Sequence, residues 1–435
     1  MSTIQPVRGT RDFYPEDMSH RQWLYSKIRS VSERYGYREY DGPFLEKLEL
    51  YAAKSGDELV KEQSYVFPDR SGEMITLRPE LTLSLARMVA QKGKALLLPL
   101  RWWSFGPFWR YERTQKGRSR EFFQWNIDLI GVDSPQADAE MVAIAASLFR
   151  EVGLSPAQIR LKLNNRQLAE SRLNQLGIGP GQRDLAFHFI DRQEKMAEKE
   201  WRQYILDNGM DAAQYEALVE YLADSDAWQE SSDLAECMAA CETLGIRKYV
   251  EYDPSVIRGL DYYTGTVYEA RDVKGHHRSI LGGGRYDNLV ADVGGDSIPG
   301  TGFAMGDVVF SLVLEENNVM PDLQLNPSDV FVTTFSEATI PASLELSAEL
   351  RQAGFSVEWY PEPVRIPRQF KYADRQGIPL AVILGPDEIE RGEVAIKDLR
   401  SGDQQSVAHA EAVRVIRDLL DRPPTPRLHL YNLAA

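Results

Sequence analysis

The chain contains very little cysteine. Of its 435 residues only Cys237 and Cys241 are cysteines, and they stand four positions apart in a helical pattern. Two small residues at this spacing share one face of a helix, which is typical of core positions rather than of a redox or metal pair. Because disulfide frameworks belong to oxidising compartments, this usage favours a cytoplasmic protein.

Long hydrophobic runs are also missing. The densest apolar stretch, residues 95–100, is far shorter than the roughly 20 residues that a transmembrane helix needs. Residues 1–12 have no apolar core of the kind found in signal peptides, so we expect no membrane association. With 43% hydrophobic and 26% charged residues, the composition is that of a folded globular protein.

Several familiar catalytic motifs are absent. The sequence has no Gly-x-x-x-x-Gly-Lys-Ser/Thr loop, no His-Glu-x-x-His, no Cys-x-x-Cys and no Gly-x-Ser-x-Gly. The glycine-rich segment 282–287 lacks the spacing of a dinucleotide fingerprint. Any nucleotide chemistry must therefore use side-chain arginines rather than a phosphate-binding loop.

Positive charge is scarce overall and concentrated locally. The formal net charge is −15, which argues against a general polyanion-binding protein. Residues 101–124 nevertheless contain six basic and only two acidic side chains. The pattern predicts strands over 100–109 and 121–130 with a polar loop between them. This hairpin is either a solvated loop or an anion site.

The order of predicted elements indicates an α+β protein of two domains. Residues 1–322 form a mainly antiparallel domain with a helical insertion at about 165–247, and a polar, proline-containing segment follows. Strands and helices then alternate through residues 327–425, which predicts a small α/β domain.

Three places suggest a binding pocket. Strand alternation puts Phe122, Gln124, Asn126 and Asp128 on one face of strand 121–130, and this mixture of residues is typical of a pocket wall. A helix predicted from Pro79 has Glu80 in its first turn, where the carboxylate either caps the helix or holds a substrate ammonium.

The third place is the segment that begins at Arg258. An Arg-Gly turn there leads into an aromatic strand, which is either ordinary packing or a turn that aims Tyr262 or Tyr263 at a cavity.

Taken together, four segments resemble the histidyl-tRNA synthetase family of class II aminoacyl-tRNA synthetases. They are Arg-Pro-Glu-x-Thr at 78–82, Phe-Trp-Arg-Tyr-Glu-Arg and its continuation at 108–124, Arg-Gly-Leu-Asp-Tyr-Tyr at 258–263, and Gly-Gly-Gly-Arg-Tyr-Asp at 282–287. The resemblance implies an antiparallel sheet flanked by helices, a homodimer formed around residues 36–50, and a C-terminal anticodon-binding domain. It also implies ATP-dependent ligation of L-histidine to tRNA(His) through histidyl-adenylate, with Mg²⁺ entering as the ATP complex.

The resemblance also implies a role for each matching residue. Arg110 and Arg258 would be the catalytic phosphate clamps. Arg118 would bind the outer phosphates of ATP, and Glu112 would bind at its adenine end. Histidine would be held by Glu80, Thr82 and Gln124 at its α-amino group, and by Asp128, Tyr262 and Tyr263 at its imidazole. The loop residues Arg113 and Gln115 would meet the acceptor end of the tRNA.

The sequence departs from the family pattern at three positions. The third class II motif, residues 302–310, has no arginine after Gly306, where the family has one that stacks on adenine. Asp128 stands where glutamate is usual, and Thr114 where proline is common. The missing arginine favours an alternative function, a histidine-binding regulatory subunit of ATP phosphoribosyltransferase, whereas the α/β terminal domain counts against it. A tRNA-sensing binding module is a third hypothesis.

Overall fold

The computed structural model describes residues 3–52, 63–193, 195–257, 263–323 and 325–421. The chain divides into two compact units, one of Met1–Phe13 with Arg21–Pro321 and one of Tyr14–His20 with Asp322–Ala435. No helix among the described residues has the length and apolar character that a bilayer crossing requires.

An eight-stranded sheet forms the centre of the first unit. Its order is β1-β5-β6-β11-β10-β9-β7-β8, and a separate three-stranded sheet has the order β2-β4-β3. The strands are β1 (Arg38–Glu39), β2 (Leu45–Lys47), β3 (Val66–Pro68), β4 (Met74–Leu77), β5 (Leu100–Trp109), β6 (Glu121–Ile130), β7 (Ile159–Asn165), β8 (Val250–Tyr252), β9 (Thr266–Asp272), β10 (Leu281–Tyr286) and β11 (Gly300–Gly306).

The six central strands are antiparallel, as the sequence predicts, but each edge of the large sheet ends in a parallel pair. At one edge β1 runs parallel to β5, and at the other β8 runs parallel to β7. The predicted strands 100–109 and 121–130 are confirmed as β5 and β6, which pair along their whole length.

The helices of this part of the chain lie against the sheet or connect its strands. They are α1 (Pro15–Arg34), α2 (Leu48–Ala52), α3 (Thr82–Lys92), α4 (Pro135–Glu151), α5 (Arg166–Gln175), α6 (Arg183–Gln193), α7 (Glu198–Asp207), α8 (Ala212–Ala223), α9 (Ser232–Thr243), α10 (Leu289–Asp292) and α11 (Asp307–Glu316). The main core is formed by α4, α9 and α11 with the sheet, and it includes Cys237 and Cys241, which are buried free thiols.

Helices α5–α9 connect β7 to β8, in the region where the sequence predicts a helical insertion. The insertion has a hydrophobic cluster of its own, built around Phe189, Trp201 and Tyr221. Helices α5–α8 therefore form a compact substructure beside the sheet, whereas α9 packs in the main core.

The second unit contains a five-stranded mixed sheet of order β13-β12-β14-β15-β16. Its elements are β12 (Val330–Val332), α12 (Ile340–Gln352), β13 (Val357–Trp359), α13 (Ile366–Arg375), β14 (Leu380–Ile383), α14 (Pro386–Arg391), β15 (Glu393–Asp398), β16 (Gln404–Ala408) and α15 (Ala412–Leu420). Strands and helices alternate here as the sequence predicts, so the α+β class with a terminal α/β domain is confirmed.

Candidate active site

The predicted pocket face of β6 lines two adjoining cavities on the large sheet. Phe122 and Gln124 line an outer cavity of about 250 Å³, and Gln124, Asn126 and Asp128 line an inner cavity of about 270 Å³. Five residues border both cavities, namely Arg110, Gln124, Ser279, Gly282 and Ala304. The two spaces are therefore neighbouring halves of one site.

Asp128 lies at the buried end of the inner cavity. The Tyr286 hydroxyl donates a 2.6 Å hydrogen bond to its Oδ1. Asp128 faces Gly302 in the β6–β11 register, and a Cβ at residue 302 would lie 2.1 Å from the same oxygen. Burial raises the pKa of Asp128 to about 7, although the Tyr286 hydrogen bond lowers it.

Glu80 differs from its prediction in one respect. Helix α3 begins at Thr82, so Glu80 precedes the helix instead of lying in its first turn. Its carboxylate accepts hydrogen bonds from the backbone N–H groups of Thr82 and Leu83, at 2.6 and 3.1 Å, and so satisfies helix donors that would otherwise lack partners. Glu80 and Thr82 also line the inner cavity. Burial raises the pKa of Glu80, and these backbone hydrogen bonds oppose the shift.

Two amide side chains present unpaired polar atoms in the same region. Gln124 Oε1 and Asn126 Nδ2 are buried with no hydrogen-bond partner among the described residues. A buried polar atom without a partner costs free energy, so both atoms are ready to bind a ligand. The amide orientations assign one acceptor and one donor to the cavity.

Arg110 is held at the boundary between the cavities. Its Nε donates a 2.9 Å hydrogen bond to the Pro79 carbonyl, and its guanidinium lies 5.3 Å from the centre of the Phe122 ring. In the outer cavity Glu112 forms an ion pair with Arg118. The predicted hairpin thus contributes two arginines, Arg110 and Arg118, to the lining of the outer cavity, and Arg118 has an acidic partner there.

The remaining predicted residues lie elsewhere. Tyr263 lines the inner cavity, whereas Arg258 and Tyr262 lie outside the described residues. Arg113 and Gln115 are exposed on the β5–β6 loop and border neither cavity.

Sequence reasoning missed two structural arginines in the matching segments. Arg78 is fully buried between the Phe44 and Phe108 rings, with its guanidinium carbon 4.6 Å from each ring centre. Arg285 pairs with the buried Asp138 at 3.0 Å. Neither side chain borders the two cavities, so both residues stabilise the fold around the site.

The missed cavity residues are Tyr286 and Arg278. Tyr286 stands in the glycine-rich segment 282–287, which gave a usable signal. Arg278 lines the outer cavity from the β9–β10 connection, and no motif marks it.

A mostly antiparallel sheet with an arginine-bearing hairpin over paired cavities defines a class II aminoacyl-tRNA synthetase. The family model described as Histidyl-tRNA synthetase matches residues 9–307, and the one described as Anticodon binding domain matches residues 329–419. The chain belongs to the histidyl-tRNA synthetase family.

Named relatives match nearly the whole chain. It is 36% identical over 434 residues to a histidine–tRNA ligase of Opitutus terrae, covering 96% of this chain and 99% of the relative. It is also 36% identical over 414 residues to the chloroplastic/mitochondrial histidine–tRNA ligase of Arabidopsis thaliana, covering 93% and 85%. The crystal structure of histidyl-tRNA synthetase from Nostoc sp. superposes with a TM-score of 0.79 at 27% identity, covering 96% of this chain and all of that one.

Proposed function

We propose that the inner cavity binds L-histidine, that the outer cavity binds ATP, and that Arg110 acts where the two meet. Family membership gives the reaction, in which the chain uses ATP to ligate L-histidine to tRNA(His). The observation that supports the placement is that Arg110 borders both cavities. A guanidinium there faces both the attacking carboxylate and the α-phosphate, where negative charge builds up during adenylate formation.

The histidine α-amino group is assigned to the Glu80 side of the inner cavity. Glu80, Thr82 and the unpaired Gln124 Oε1 supply oxygen acceptors there, as an ammonium group requires.

The imidazole is assigned to Asp128 and Tyr263, which line the same cavity, and by the family resemblance to Tyr262. A ring with two nitrogens needs partners for both, and a buried site that bonds both discriminates strongly against analogues that lack them. Aspartate is one methylene shorter than the usual glutamate, and the Tyr286 hydroxyl holds its carboxylate in place by donating a hydrogen bond to Oδ1.

For ATP, we assign Arg110 and Arg258 to the reacting phosphate, Arg118 to the outer phosphates and Glu112 to the adenine end. Guanidinium suits this task because it stays charged and its planar fork matches phosphate oxygens. The described residues contain no cluster of three or more His, Cys, Asp or Glu side chains that would hold a metal ion. In this proposal Mg²⁺ therefore enters with ATP as part of the substrate.

The tRNA and dimer contacts are assigned to surface elements. Arg113 and Gln115, exposed on the hairpin loop, would contact the acceptor end, and the 327–425 domain would bind the anticodon. Within the segment 36–50, Phe44 and Leu45 are nearly half exposed, which supports a homodimer contact there. The two free thiols support a cytoplasmic location.

The regulatory-subunit alternative has less support. The anticodon-binding model matches residues 329–419, and the histidine–tRNA ligase of Opitutus terrae matches this chain over 99% of its own length.

The test of the proposed function is histidine-dependent exchange of labelled pyrophosphate into ATP without tRNA. We expect exchange in the wild type, its loss in Arg110→Ala, and its retention in the control Arg101→Ala, whose guanidinium pairs with Glu140 away from the cavities. Histidine binding without exchange in the wild type would support the regulatory subunit instead.

A further inference from the structure

The third class II motif of this chain lacks the cation that would normally face the adenine. Residues 302–316 contain no lysine or arginine. The first residue of α11, Asp307, is used differently: it accepts a 2.9 Å hydrogen bond from the Phe123 backbone N–H and pairs with Arg11 at 2.7 Å. The start of α11 therefore anchors β6, while Val308 and Val309 present apolar surface to the outer cavity.

Another guanidinium reaches this wall from a different element. Strand β10 pairs with β11, with Leu281 opposite Met305 and Gly282 opposite Ala304. Just before β10 the chain carries Arg278, and just after β11 it carries Val308 in the first turn of α11. Both residues line the outer cavity, and the Arg278 side chain is solvent-exposed.

The three arginines that line the outer cavity among the described residues differ in origin. Arg110 and Arg118 come from the β5–β6 hairpin. Arg110 lies over the Phe122 ring, and Arg118 forms an ion pair with Glu112. Arg278 comes from the β9–β10 connection and lines the same cavity as the valines of α11. A purine needs flat or apolar surfaces on its faces, and a guanidinium plane is such a surface with an added cation–π attraction.

We propose that Arg278 packs against the adenine ring of ATP, in place of an arginine on α11. This inference rests on the proposed function of the outer cavity as the ATP site. It makes Arg278 a specificity residue for the base, distinct from the phosphate-binding arginines of the hairpin. It also removes the argument that a missing third-motif arginine indicates a non-catalytic protein.

Adenosine and inorganic pyrophosphate separate the base from the phosphates. In the exchange assay without tRNA, we expect Arg278→Ala to weaken competitive inhibition by adenosine about tenfold. The affinity for pyrophosphate should stay within about twofold. Arg278→Lys keeps the charge but not the planar face, so it should lose adenosine binding to a similar extent.

The matched control is Lys274→Ala, which removes the same charge from the same connection, where Lys274 pairs with Glu316. This variant should change the affinity for neither adenosine nor pyrophosphate. Unchanged histidine binding by calorimetry shows that the Arg278 variants are folded. Weaker pyrophosphate binding with normal adenosine binding in Arg278→Ala, or no change in either, overturns the inference and leaves the ATP site intact. A wild type with no exchange overturns the ATP site itself.

Discussion

The Tyr286 hydroxyl donates a 2.6 Å hydrogen bond to Asp128 Oδ1, and both side chains are buried. The two residues come from neighbouring parts of the sheet, β10 and β6, on either side of β11. The tyrosine fixes one carboxylate oxygen of a residue that lines the inner cavity. The burial that makes this carboxyl selective also raises its pKa to about 7.

Replacing this carboxyl changes how stability depends on pH. The pKa of Asp128 is higher in the folded chain than in the unfolded chain, so its contribution is most favourable below the unfolded pKa and is lost as pH rises to about 7. Asparagine does not ionise, so the variant avoids this loss. We expect the thermal stability of Asp128→Asn relative to wild type, measured without histidine, to increase when the pH is raised from about 5 to about 8. Differential scanning calorimetry at both pH values checks this. A stability difference that does not change with pH contradicts the shifted pKa.

The same position should separate histidine binding from ATP binding. We expect Asp128→Ala to weaken histidine binding by about tenfold or more, because an imidazole N–H loses its buried acceptor. ATP binding should change little, since Asp128 borders only the inner cavity. Calorimetric titrations with each ligand give the two values, and equal losses would refute the assignment of Asp128 to the imidazole.

Substitution by alanine should have different effects at two glycines on adjacent strands, because one variant should lose stability and the other should lose ligand affinity. A Cβ at Gly302 meets Asp128 Oδ1 at 2.1 Å and the Ile127 carbonyl at 2.6 Å, so Gly302→Ala should cost about 3 kcal/mol of unfolding free energy. A Cβ at Gly282 meets nothing within 4 Å, yet Gly282 borders both cavities. Gly282→Ala should therefore keep its stability in denaturant unfolding and lose ligand affinity. Equal stability of the two variants would contradict the packing argument.

Arg78 should be required for folding rather than for chemistry. Its guanidinium donates to Asp41 at 2.5 Å and to the Gly42 and Pro107 carbonyls at 2.9 and 3.0 Å. Arg78→Met keeps much of the packing between the rings but removes the donor to the Gly42 and Pro107 carbonyls, at a cost of about 2 kcal/mol. Asp41 is half exposed and still accepts from the Gly42 N–H, so its loss of a partner adds little. Urea unfolding measures the loss. If stability is retained while exchange activity disappears, Arg78 acts in the reaction instead.

The exposed loop residue Arg113 should matter only for the second step, the transfer to tRNA. We expect Arg113→Ala to leave pyrophosphate exchange unchanged, because Arg113 borders neither cavity, and to slow transfer to tRNA(His) about tenfold. Exchange and aminoacylation assays on the same preparation give the comparison. Loss of exchange would place Arg113 in the adenylation site.

The sequence alone predicts what depends on local periodicity. Strands 100–109 and 121–130 follow from two apolar, aromatic-rich segments around a polar loop, and the shared face of Phe122 and Asp128 follows from the alternation of side chains along a strand. The start of α3 was misplaced because Pro79 is a good first helical residue, whereas the Glu80 side chain takes over the donors of the first turn.

Features that depend on distant pairing could not be predicted. The parallel edge pairs β1–β5 and β7–β8 join segments far apart in the chain, and a single sequence gives no register for them. Arg278 lies in a connection without periodicity, so only the three-dimensional structure reveals that it lines the same cavity as Val308.

The parallel pairing of β7 with β8 sets an order on the assembly of the large sheet. Leu161 pairs with Val250, and the chain between them forms five helices. It must return to the starting end of β7 before the three residues of β8 can pair in parallel with it. Contacts between such distant segments form only after the intervening chain has become compact. The insertion's own cluster supplies that compactness. We therefore expect the edge strand β8 to pair late in folding, after the separate cluster of the insertion has brought the two segments together.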